Sequence, residues 1–309
     1  MKTPALQLVT PADLPRGIHA IRALPDAELS TLWDSIIVAA QLKDRLLSQA
    51  LLNYTLRPNI SRNDVPLHGV ILLVGVPGTG KTSLARGLAS KLAASLKPSG
   101  QTFRLVEVDP HALTSSAMGK TQRAVSELFS QTISEHAANG PTIVLLDEVE
   151  TLAADRAKLS LEANPVDIHR ATDAVLVQLD ALAASHPNLL FIATSNFPQA
   201  IDDAFTSRCD LVIDVPLPAA DAVTEILDSC LSAIAQKFSR VGKLTQAGGF
   251  AEVARTAVGL DGRAIRKLVV SAMAMRKETA LDPNQLSLSD LQSAVAQAQA
   301  SRISGKGHP

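Results

Sequence analysis

The feature that most constrains the fold of this chain is a glycine-rich octapeptide, GVPGTGKT, at residues 75–82. It satisfies the pattern GxxxxGK followed by Ser or Thr, and it lies between an apolar run, VILLVG, and a segment with helical periodicity. A strand, a glycine loop and a helix in this order present backbone N–H groups and a helix N-terminus to an anion. We therefore predict a phosphate-binding loop in an α/β domain. A glycine-rich turn with a capping threonine is the alternative.

The loop residues have distinct expected tasks in binding a nucleoside triphosphate. Lys81 can reach the β- and γ-phosphates, and the Thr82 hydroxyl can bind Mg²⁺. The residues predicted to contact the nucleotide are Pro77, Gly78, Thr79, Gly80, Lys81, Thr82 and Ser83. The sequence thus indicates a site for ATP with Mg²⁺.

Two carboxylates, Asp147 and Glu148, follow a second apolar run, TIVLL. Ligands of open α/β sheets bind beyond the carboxyl ends of the strands. Asp147 suits a Mg²⁺-linked carboxylate there, and Glu148 suits the base or orienter of the attacking water. An acidic helix cap is the alternative, and the phosphate-binding loop earlier in the chain favours hydrolysis over it.

A polar strand end, ATSN, closes a third apolar run and places Asn196 at the same predicted edge. An amide in this position can lie between the acidic pair and the γ-phosphate and position the lytic water. A simple strand-ending turn is the alternative.

Three arginines are candidates to complete the site. Arg208, in DDAFTSRCD, precedes the last predicted strand, and P-loop enzymes often receive such an arginine from a neighbouring subunit. A surface arginine paired with Asp202 or Asp210 is the alternative. Arg263 and Arg266 are three residues apart and share a helix face. One of them can reach the nucleotide, or both belong to a solvated basic face.

Apolar runs alternate with longer helical patterns from Val70 to Val215, which predicts a parallel sheet with helices on both faces. After Pro216 and Pro218 only helical patterns follow. The predicted strands are 70–75, 103–108, 142–147, 188–195 and 210–215. The predicted helices are 34–56, 82–96, 121–138, 168–184, 221–237, 247–256, 261–277 and 287–300.

This order predicts four parts of the chain. Residues 1–30 are proline-rich and read as an extended arm or small cap. The large α/β domain covers 31–217, a small helical lid domain covers 218–302, and 303–309 is a frayed tail.

The composition argues against several other functions. A net charge of −1 and an aromatic content of 3 % disfavour nucleic-acid binding. The histidines form no HxxxH pair, and Cys209 and Cys230 form no CxxC pair, so zinc is not expected. Neither a signal peptide nor a run of about 20 apolar residues is present, so we expect a cytoplasmic protein without a membrane anchor.

Six segments together carry a family resemblance: LWDSIIVAAQLKDRLL, GVPGTGKTSLARGLASKL, LLDEVETLAADR, DAVLVQLDAL, ATSNFPQAIDDAFTSRCD and GLDGRAIRKL. They resemble the AAA+ ATPases, whose sheet is followed by an all-α lid, and more narrowly the pachytene-checkpoint type, which remodels HORMA-domain proteins. The similarity covers about Leu32–Ala272. The glycine loop is common to all AAA+ proteins, whereas TSN, IDDAFTSRCD and GLDGR distinguish the narrower family.

The resemblance implies roles for five residues. Ile36 and Ile37 would line the adenine pocket, and Asn196 would be sensor 1. Arg208 would be an arginine finger, and Arg263 would be the sensor-2 arginine.

The resemblance also implies a pore loop within HALTSSAMGKTQ, where Ala117, Met118 and Gly119 would grip a polypeptide. Animal and fungal members carry an aromatic pair where this chain has Ala117 and Met118. Met118 is apolar and adaptable, so it can still contact a peptide.

The function implied is ATP-driven remodelling of a HORMA-domain protein by a homo-hexameric ring, in which Arg208 reaches the neighbouring subunit's site. The short region before the ATPase body resembles bacterial members, which occur with HORMA proteins and cyclic-oligonucleotide synthases in antiphage defence operons. Two alternatives remain at this point: a nucleotide-gated binding module without turnover, and a DNA-associated AAA+ motor.

Overall fold

A computed structural model of the chain describes residues 14–96, 100, 102–113, 120–155 and 165–305. It divides into two compact units. The first unit contains the chain up to Ile36, Ala40–Gly75 and Lys81–Asp214. The second contains Ile37–Ala39, Val76–Gly80 and the chain from Val215 onward.

The first unit is built on a six-stranded sheet. Its strands are β1 (Ile18–Leu24), β2 (Val70–Val74), β3 (Phe103–Val108), β4 (Thr142–Leu146), β5 (Leu189–Ser195) and β6 (Leu211–Asp214). Their order in the sheet is β1-β3-β4-β5-β2-β6. β1 pairs antiparallel with β3, and the other four pairings are parallel. The predicted parallel sheet is confirmed for the five strands from β2 to β6. The antiparallel β1 makes the whole sheet mixed.

The N-terminal region differs from its prediction as an arm or cap over residues 1–30. Ile18–Leu24 forms β1 and pairs with Phe103–Val108 along the edge of the sheet. Its sequence, IHAIRAL, alternates poorly because an edge strand is held by backbone hydrogen bonds and buries only some of its side chains. Ile18 and Leu24 are the two that are buried.

β2, β4 and β5 are buried along their whole length, which explains their nearly continuous apolar sequences. Parallel pairing places Leu146 of β4 opposite Ala193 of β5, and Val74 of β2 opposite Ser195. The three strands therefore end at the same edge of the sheet.

Helices surround this sheet in the first unit. They are α1 (Ala27–Ser35), α2 (Ala40–Leu56), α3 (Lys81–Leu96), α4 (Pro110–Leu113), α5 (Lys120–Glu127), α6 (Ser134–Ala138), α7 (Pro165–Ser185) and α8 (Asp203–Thr206), with 3-10 turns at Val149–Thr151 and Pro198–Ala200. A π-helical segment, Leu128–Ile133, joins α5 to α6. Near its start Phe129 stacks on Phe191 of β5, with ring centroids 5.9 Å apart.

The helix predicted over 34–56 is interrupted in the structure. α1 ends at Ser35, Ile36 is extended with φ −83° and ψ 116°, and α2 begins at Ala40. Three consecutive β-branched residues, Ile36–Val38, disfavour the helical conformation at this point because their χ1 freedom is restricted.

The second unit is helical, and no strand follows Asp214 in the described part of the chain. Its helices are α9 (Ala220–Ala235), α10 (Phe250–Thr256), α11 (Gly262–Ala274), α12 (Lys277–Leu281) and α13 (Leu288–Gly305), with 3-10 turns at Val241–Gln246 and Pro283–Gln285. Leu, Ile and Val side chains of α9, α11 and α13 form its core. Among the described residues, no helix is both long and apolar enough to cross a bilayer.

A buried carboxylate stabilises the helical unit in a pH-dependent way. Asp290 accepts hydrogen bonds from Arg276 Nη2 at 2.7 Å and from Ser287 Oγ at 2.6 Å. The bond from Arg276 contributes most to lowering the pKa of Asp290 to about 2. Because an unfolded chain has an Asp pKa of about 3.9, this stabilisation is present above about pH 4 and disappears as the pH falls toward 2.

We expect Asp290→Asn to lower the free energy of unfolding by about 1–2 kcal/mol near pH 6, since it removes the charge that Arg276 and Ser287 bind. The difference from the wild type should shrink between about pH 4 and pH 2. Urea unfolding followed by circular dichroism measures both values. Asp228→Asn, at an exposed position of the same unit, is the matched control. A difference that does not depend on pH would contradict this account.

Candidate nucleotide-binding site

The strand order brings three predicted site segments to one edge of the sheet. β4, β5 and β2 are neighbours in that order, and they are followed by Asp147, Asn196 and Gly75. Because parallel strands share the edge at which they end, the acidic pair and the amide lie beside the start of the glycine loop.

A series of hydrogen bonds links Lys81 to Glu148 through Asn196. Lys81 Nζ donates to the Gly75 carbonyl and to Asn196 Oδ1, at 2.8 Å in both cases. Asn196 Nδ2 donates to Glu148 Oε1 at 3.1 Å. The Asn196 oxygen thus accepts a hydrogen bond from the Lys81 ammonium, and the Asn196 nitrogen donates one to the Glu148 carboxylate. This arrangement suits a group that positions water between a phosphate and a base.

Asp147 is surrounded by hydroxyl groups. Thr82 Oγ1 donates to Asp147 Oδ1 at 2.8 Å, and the Thr194 hydroxyl donates to the same oxygen. A threonine hydroxyl beside a carboxylate supplies the hard oxygen ligands that Mg²⁺ prefers. The described residues contain no cluster of three His, Cys, Asp or Glu side chains that could hold a metal. A cation at Thr82 and Asp147 therefore needs further oxygens from phosphate or water.

Glu148 has a backbone conformation that few residues other than glycine adopt. Its φ of 55° and ψ of 53° are left-handed, and no other non-glycine residue in the described ranges has a positive φ. Its N–H donates to the Thr194 hydroxyl at 3.3 Å. Such a conformation costs about 1–3 kcal/mol and is retained where the surrounding structure requires it. Here it accompanies the contact between the Glu148 carboxylate and the amide of Asn196.

His111 contacts the same carboxylate and is absent from the predicted site. Its Nε2 lies 3.0 Å from Glu148 Oε2, on the side opposite the oxygen bound by Asn196. His111 and Glu148 also line a cavity of about 210 Å³. β3 ends at Val108 beside β4, so applying the strand-end rule to β3 would have included His111.

Glu150 is a second residue that the motif analysis missed. Its Oε1 accepts the Asn196 backbone N–H at 3.1 Å, and its buried Oε2 has no hydrogen-bond partner within the described residues. Lys81 is only 5 % exposed, and its burial lowers its pKa. Glu150 is the strongest of the carboxylates that act in the opposite direction, ahead of Asp147. Glu150 therefore both anchors the backbone of Asn196 and stabilises the charged form of Lys81.

Residues 76–80 of the glycine loop belong to the second unit, where they contact the start of α11. The Gly78 carbonyl accepts the Arg263 backbone N–H at 3.2 Å. Gly78 has a φ of 84°, and a Cβ at this position would collide with the Asp261 carboxylate. Since that carboxylate also accepts the Ala264 N–H at 2.9 Å and so caps α11, only glycine fits here.

The other residues predicted from the family take varied positions. The Arg263 side chain is exposed and Arg266 is partly buried on α11. Ile36 is partly buried in the first unit, whereas Ile37 packs against the helical core of the second. Their assignments to the sensor and the adenine pocket stay predictions. Ala117, Met118 and Gly119 of the predicted pore loop lie outside the described residues.

Arg208 forms an ion pair within its own chain. Its Nε and Nη2 donate to the Asp180 carboxylate, at 3.1 and 2.8 Å. The sequence alternative of a pair with Asp202 or Asp210 is wrong about the partner. Asp202 caps α8 by accepting the Ala204 N–H, and Asp210 accepts backbone N–H groups at the start of β2.

A family model and several curated proteins that resemble this chain all point to the same ATPase family. Residues 71–217 match the family described as "ATPase family associated with various cellular activities (AAA)". CD-NTase-associated protein 6 of Pseudomonas aeruginosa is 63 % identical over 95 % of this chain and 96 % of that protein. Pachytene checkpoint protein 2 homologs of Oryza sativa subsp. indica and Mus musculus are 39 % and 32 % identical. These two matches cover 74 % and 82 % of this chain. The chain spans only 48 % of the Oryza protein and 63 % of the Mus protein.

Two solved structures share the fold. "Structure of C. elegans PCH-2" superposes with a TM-score of 0.73 at 26 % identity, covering 94 % of this chain and 77 % of that one. "Structure of E. coli MS115-1 HORMA:CdnC:Trip13 complex" contains a chain with a TM-score of 0.70 at 18 % identity. That match covers 90 % of this chain and 94 % of the other, and at this identity it shows the fold alone.

We expect His111→Ala to lower the kcat of ATP hydrolysis by about three- to tenfold with little change in KM, because the Glu148 carboxylate loses one of its two anchors. His111→Gln keeps a donor and should lose less. The steady-state rate of phosphate release at varied ATP measures both constants. His19→Ala, at another histidine that lines the same cavity, is the control. Equal loss in His111→Ala and His19→Ala would refute a specific contact.

Proposed function

This chain belongs to the AAA ATPases of the pachytene-checkpoint type, and we propose that it couples ATP hydrolysis to a conformational change in a HORMA-domain protein. The observation that carries hydrolysis is the hydrogen-bonded series of Lys81, Asn196 and Glu148. A site that only bound nucleotide would need no carboxylate held beside the phosphate-binding lysine.

The glycine loop binds the triphosphate of ATP. Backbone N–H groups of residues 78–83 surround the phosphate oxygens at the N-terminus of α3. The Lys81 ammonium contacts the β- and γ-phosphates, for which it exchanges its hydrogen bonds to Gly75 and Asn196. Burial favours this exchange, because a buried ammonium gains more from an anion than a solvated one does.

Thr82 and Asp147 are the residues that would hold Mg²⁺. When bound there, the cation would supply positive charge that stabilises the negative charge developing on the phosphates during hydrolysis. Thr82 supplies its hydroxyl, and Asp147 supplies the carboxylate that the hydroxyls of Thr82 and Thr194 now contact. Thr194 then keeps this carboxylate oriented from the neighbouring strand.

Glu148 accepts the proton of the attacking water, and Asn196 orients that water toward the γ-phosphate. The contacts of the Asn196 amide and of His111 with the two carboxylate oxygens of Glu148 support these roles, because they restrain the orientation of that carboxylate. Positioning of this kind accounts for a large part of the rate enhancement in phosphoryl transfer.

The active assembly is a homo-hexameric ring in which Arg208 of one subunit reaches the phosphates bound by the next. Arg263, whose N–H contacts Gly78 of the loop, acts as the second sensor, and Ile36 and Ile37 contact the adenine. The family resemblance and the pattern of P-loop enzymes support these assignments.

The client is a HORMA-domain protein, and through it the chain meets a cyclic-oligonucleotide synthase of antiphage signalling in the cytoplasm. Two findings support this choice. The E. coli structure that contains a chain of this fold is titled a HORMA:CdnC:Trip13 complex, which is a reason to test these two partners although the match itself supports only the fold. The Pseudomonas relative, which this chain matches over nearly its whole length, is named for its association with a CD-NTase. The net charge of −1 provides no electrostatic reason to propose a nucleic acid as a further partner.

Glu148→Gln tests the catalytic assignment, because it removes the base and retains an oxygen for the Asn196 amide. We expect kcat to fall by about 10²- to 10⁴-fold while ATP affinity stays nearly constant. A HORMA-domain protein encoded beside this gene should stimulate the wild type and leave the variant inactive. Phosphate release and fluorescent-nucleotide titration measure the two quantities.

The possible results separate the parts of the proposal. Unchanged hydrolysis in Glu148→Gln contradicts the role of that residue. Robust hydrolysis without any response to the HORMA-domain protein retains the ATPase and rejects the client. If the client binds and changes equally with ATP and with a non-hydrolysable analogue, the chain is a nucleotide-gated binding module.

Met118→Glu tests whether the segment around residue 118 grips the client. A charge in place of an adaptable apolar side chain should lower the rate of client conversion by about tenfold or more while basal hydrolysis persists. Ser115→Ala, in the same segment, is the control. Client conversion is followed by limited proteolysis of the HORMA-domain protein. A Met118→Glu protein with normal conversion would exclude this residue from the contact.

A further inference from the structure

The Arg208 guanidinium is fixed by acceptors from two elements of its own chain. Nε and Nη2 donate to the two oxygens of Asp180 on α7, and Nη1 donates to the Ala204 carbonyl of α8 at 2.7 Å. The bidentate ion pair with Asp180 restrains the plane of the guanidinium, and the hydrogen bond to Ala204 restrains its rotation. The three hydrogen bonds together fix the orientation of the Arg208 side-chain group.

The remaining donors of Arg208 are suited to phosphate. A guanidinium carries five N–H groups. Asp180 takes two of them and Ala204 takes one, which leaves one on Nη1 and one on Nη2 without an acceptor in the described chain. The side chains of Arg208 and Asp180 are 24 % and 41 % exposed, so the group can be reached from outside its subunit.

Asp180 is itself held in place. His68 Nε2 and Arg62 Nη2 lie 3.4 and 3.9 Å from its Oδ1, and Arg62 Nη1 donates to its backbone carbonyl at 3.1 Å. The hydrogen bond from Arg208 lowers the pKa of Asp180, while burial lowers the pKa of His68. The Asp180 carboxylate therefore stays charged at neutral pH and remains paired with Arg208.

We propose that Asp180 is a positioning residue for Arg208: it fixes the guanidinium within one subunit so that the two remaining donors meet the phosphates bound by the neighbouring subunit. This inference rests on the proposed function, in which Arg208 acts across subunits. Asp180 touches no substrate and acts only through Arg208.

A purely structural ion pair is the competing explanation. Pairs as exposed as this one add little to folding stability. A catalytic group displaced by about 1 Å, in contrast, loses about 10²-fold in rate. Rate and stability therefore respond differently under the two explanations.

The decisive comparison is a double-mutant cycle of Asp180→Ala and Arg208→Ala measured by ATP hydrolysis. Arg208→Ala should lower kcat on the order of 10³-fold, and Asp180→Ala should lower it about tenfold or more with KM nearly unchanged. In the Arg208→Ala background, Asp180→Ala should have no further effect, since its only route to the reaction is gone. Asp180→Asn, which keeps one acceptor, should recover part of the loss.

His68→Gln is the matched control, because it alters one of the further partners of Asp180, keeps an N–H donor at that position and leaves Arg208 paired. It should keep the wild-type rate. If His68→Gln loses as much as Asp180→Ala, or if the two main substitutions act independently, the positioning role is wrong. Thermal unfolding of each variant detects a simple loss of folding, and equal midpoints are expected.

Mixed assemblies separate this inference from the function on which it rests. Glu148→Gln subunits keep Arg208 but cannot hydrolyse, and Arg208→Ala subunits keep Glu148 but donate no arginine. Mixing them should raise hydrolysis above that of either alone, and no increase would refute the action of Arg208 across subunits. When the donor subunits also carry Asp180→Ala, the increase should drop about tenfold. An undiminished increase would refute the role of Asp180 alone.

Discussion

The parallel pairing of β5 with β4 on one side and with β2 on the other is the constraint on which the site depends. These pairings end the three strands at one edge, so that Asp147, Asn196 and Gly75 follow at adjacent places. Full burial of the strands makes a shift of register costly, because one residue of slip would reverse the direction of every side chain. The places at which these residues follow the strands are therefore fixed by the core beneath them.

The charges at this edge are arranged so that none is isolated. Lys81 is buried, and Glu150 and Asp147 oppose the effect of that burial on its pKa. A neutral amide, Asn196, stands between this cation and the carboxylate of Glu148. A carboxylate in place of Asn196 would compete with phosphate for Lys81 and would repel Glu148. The amide instead accepts from Lys81 with its oxygen and donates to Glu148 with its nitrogen.

Two side-chain contacts extend the site beyond its motifs. His111 restrains one oxygen of Glu148, and Asp180 restrains the guanidinium of Arg208. Each comes from an element distant in sequence, α4 or α7, and neither has a spacing pattern relative to its partner. Motif analysis identifies the groups that act on the substrate more readily than the groups that orient them, because orientation is a property of neighbours in space.

Local patterns of residues were enough to predict the five parallel strands, the glycine loop and the strand-end residues Asp147, Glu148 and Asn196, because burial and backbone geometry constrain the residue types at each position. It did not reveal β1, whose place depends on backbone pairing with β3, or the break at Ile36–Val38 within the predicted helix. The pairing of Arg208 with Asp180 and the contact between Glu148 and His111 could be identified only in the folded chain. Such contacts depend on which distant elements pack together, and a local pattern carries no information about that choice.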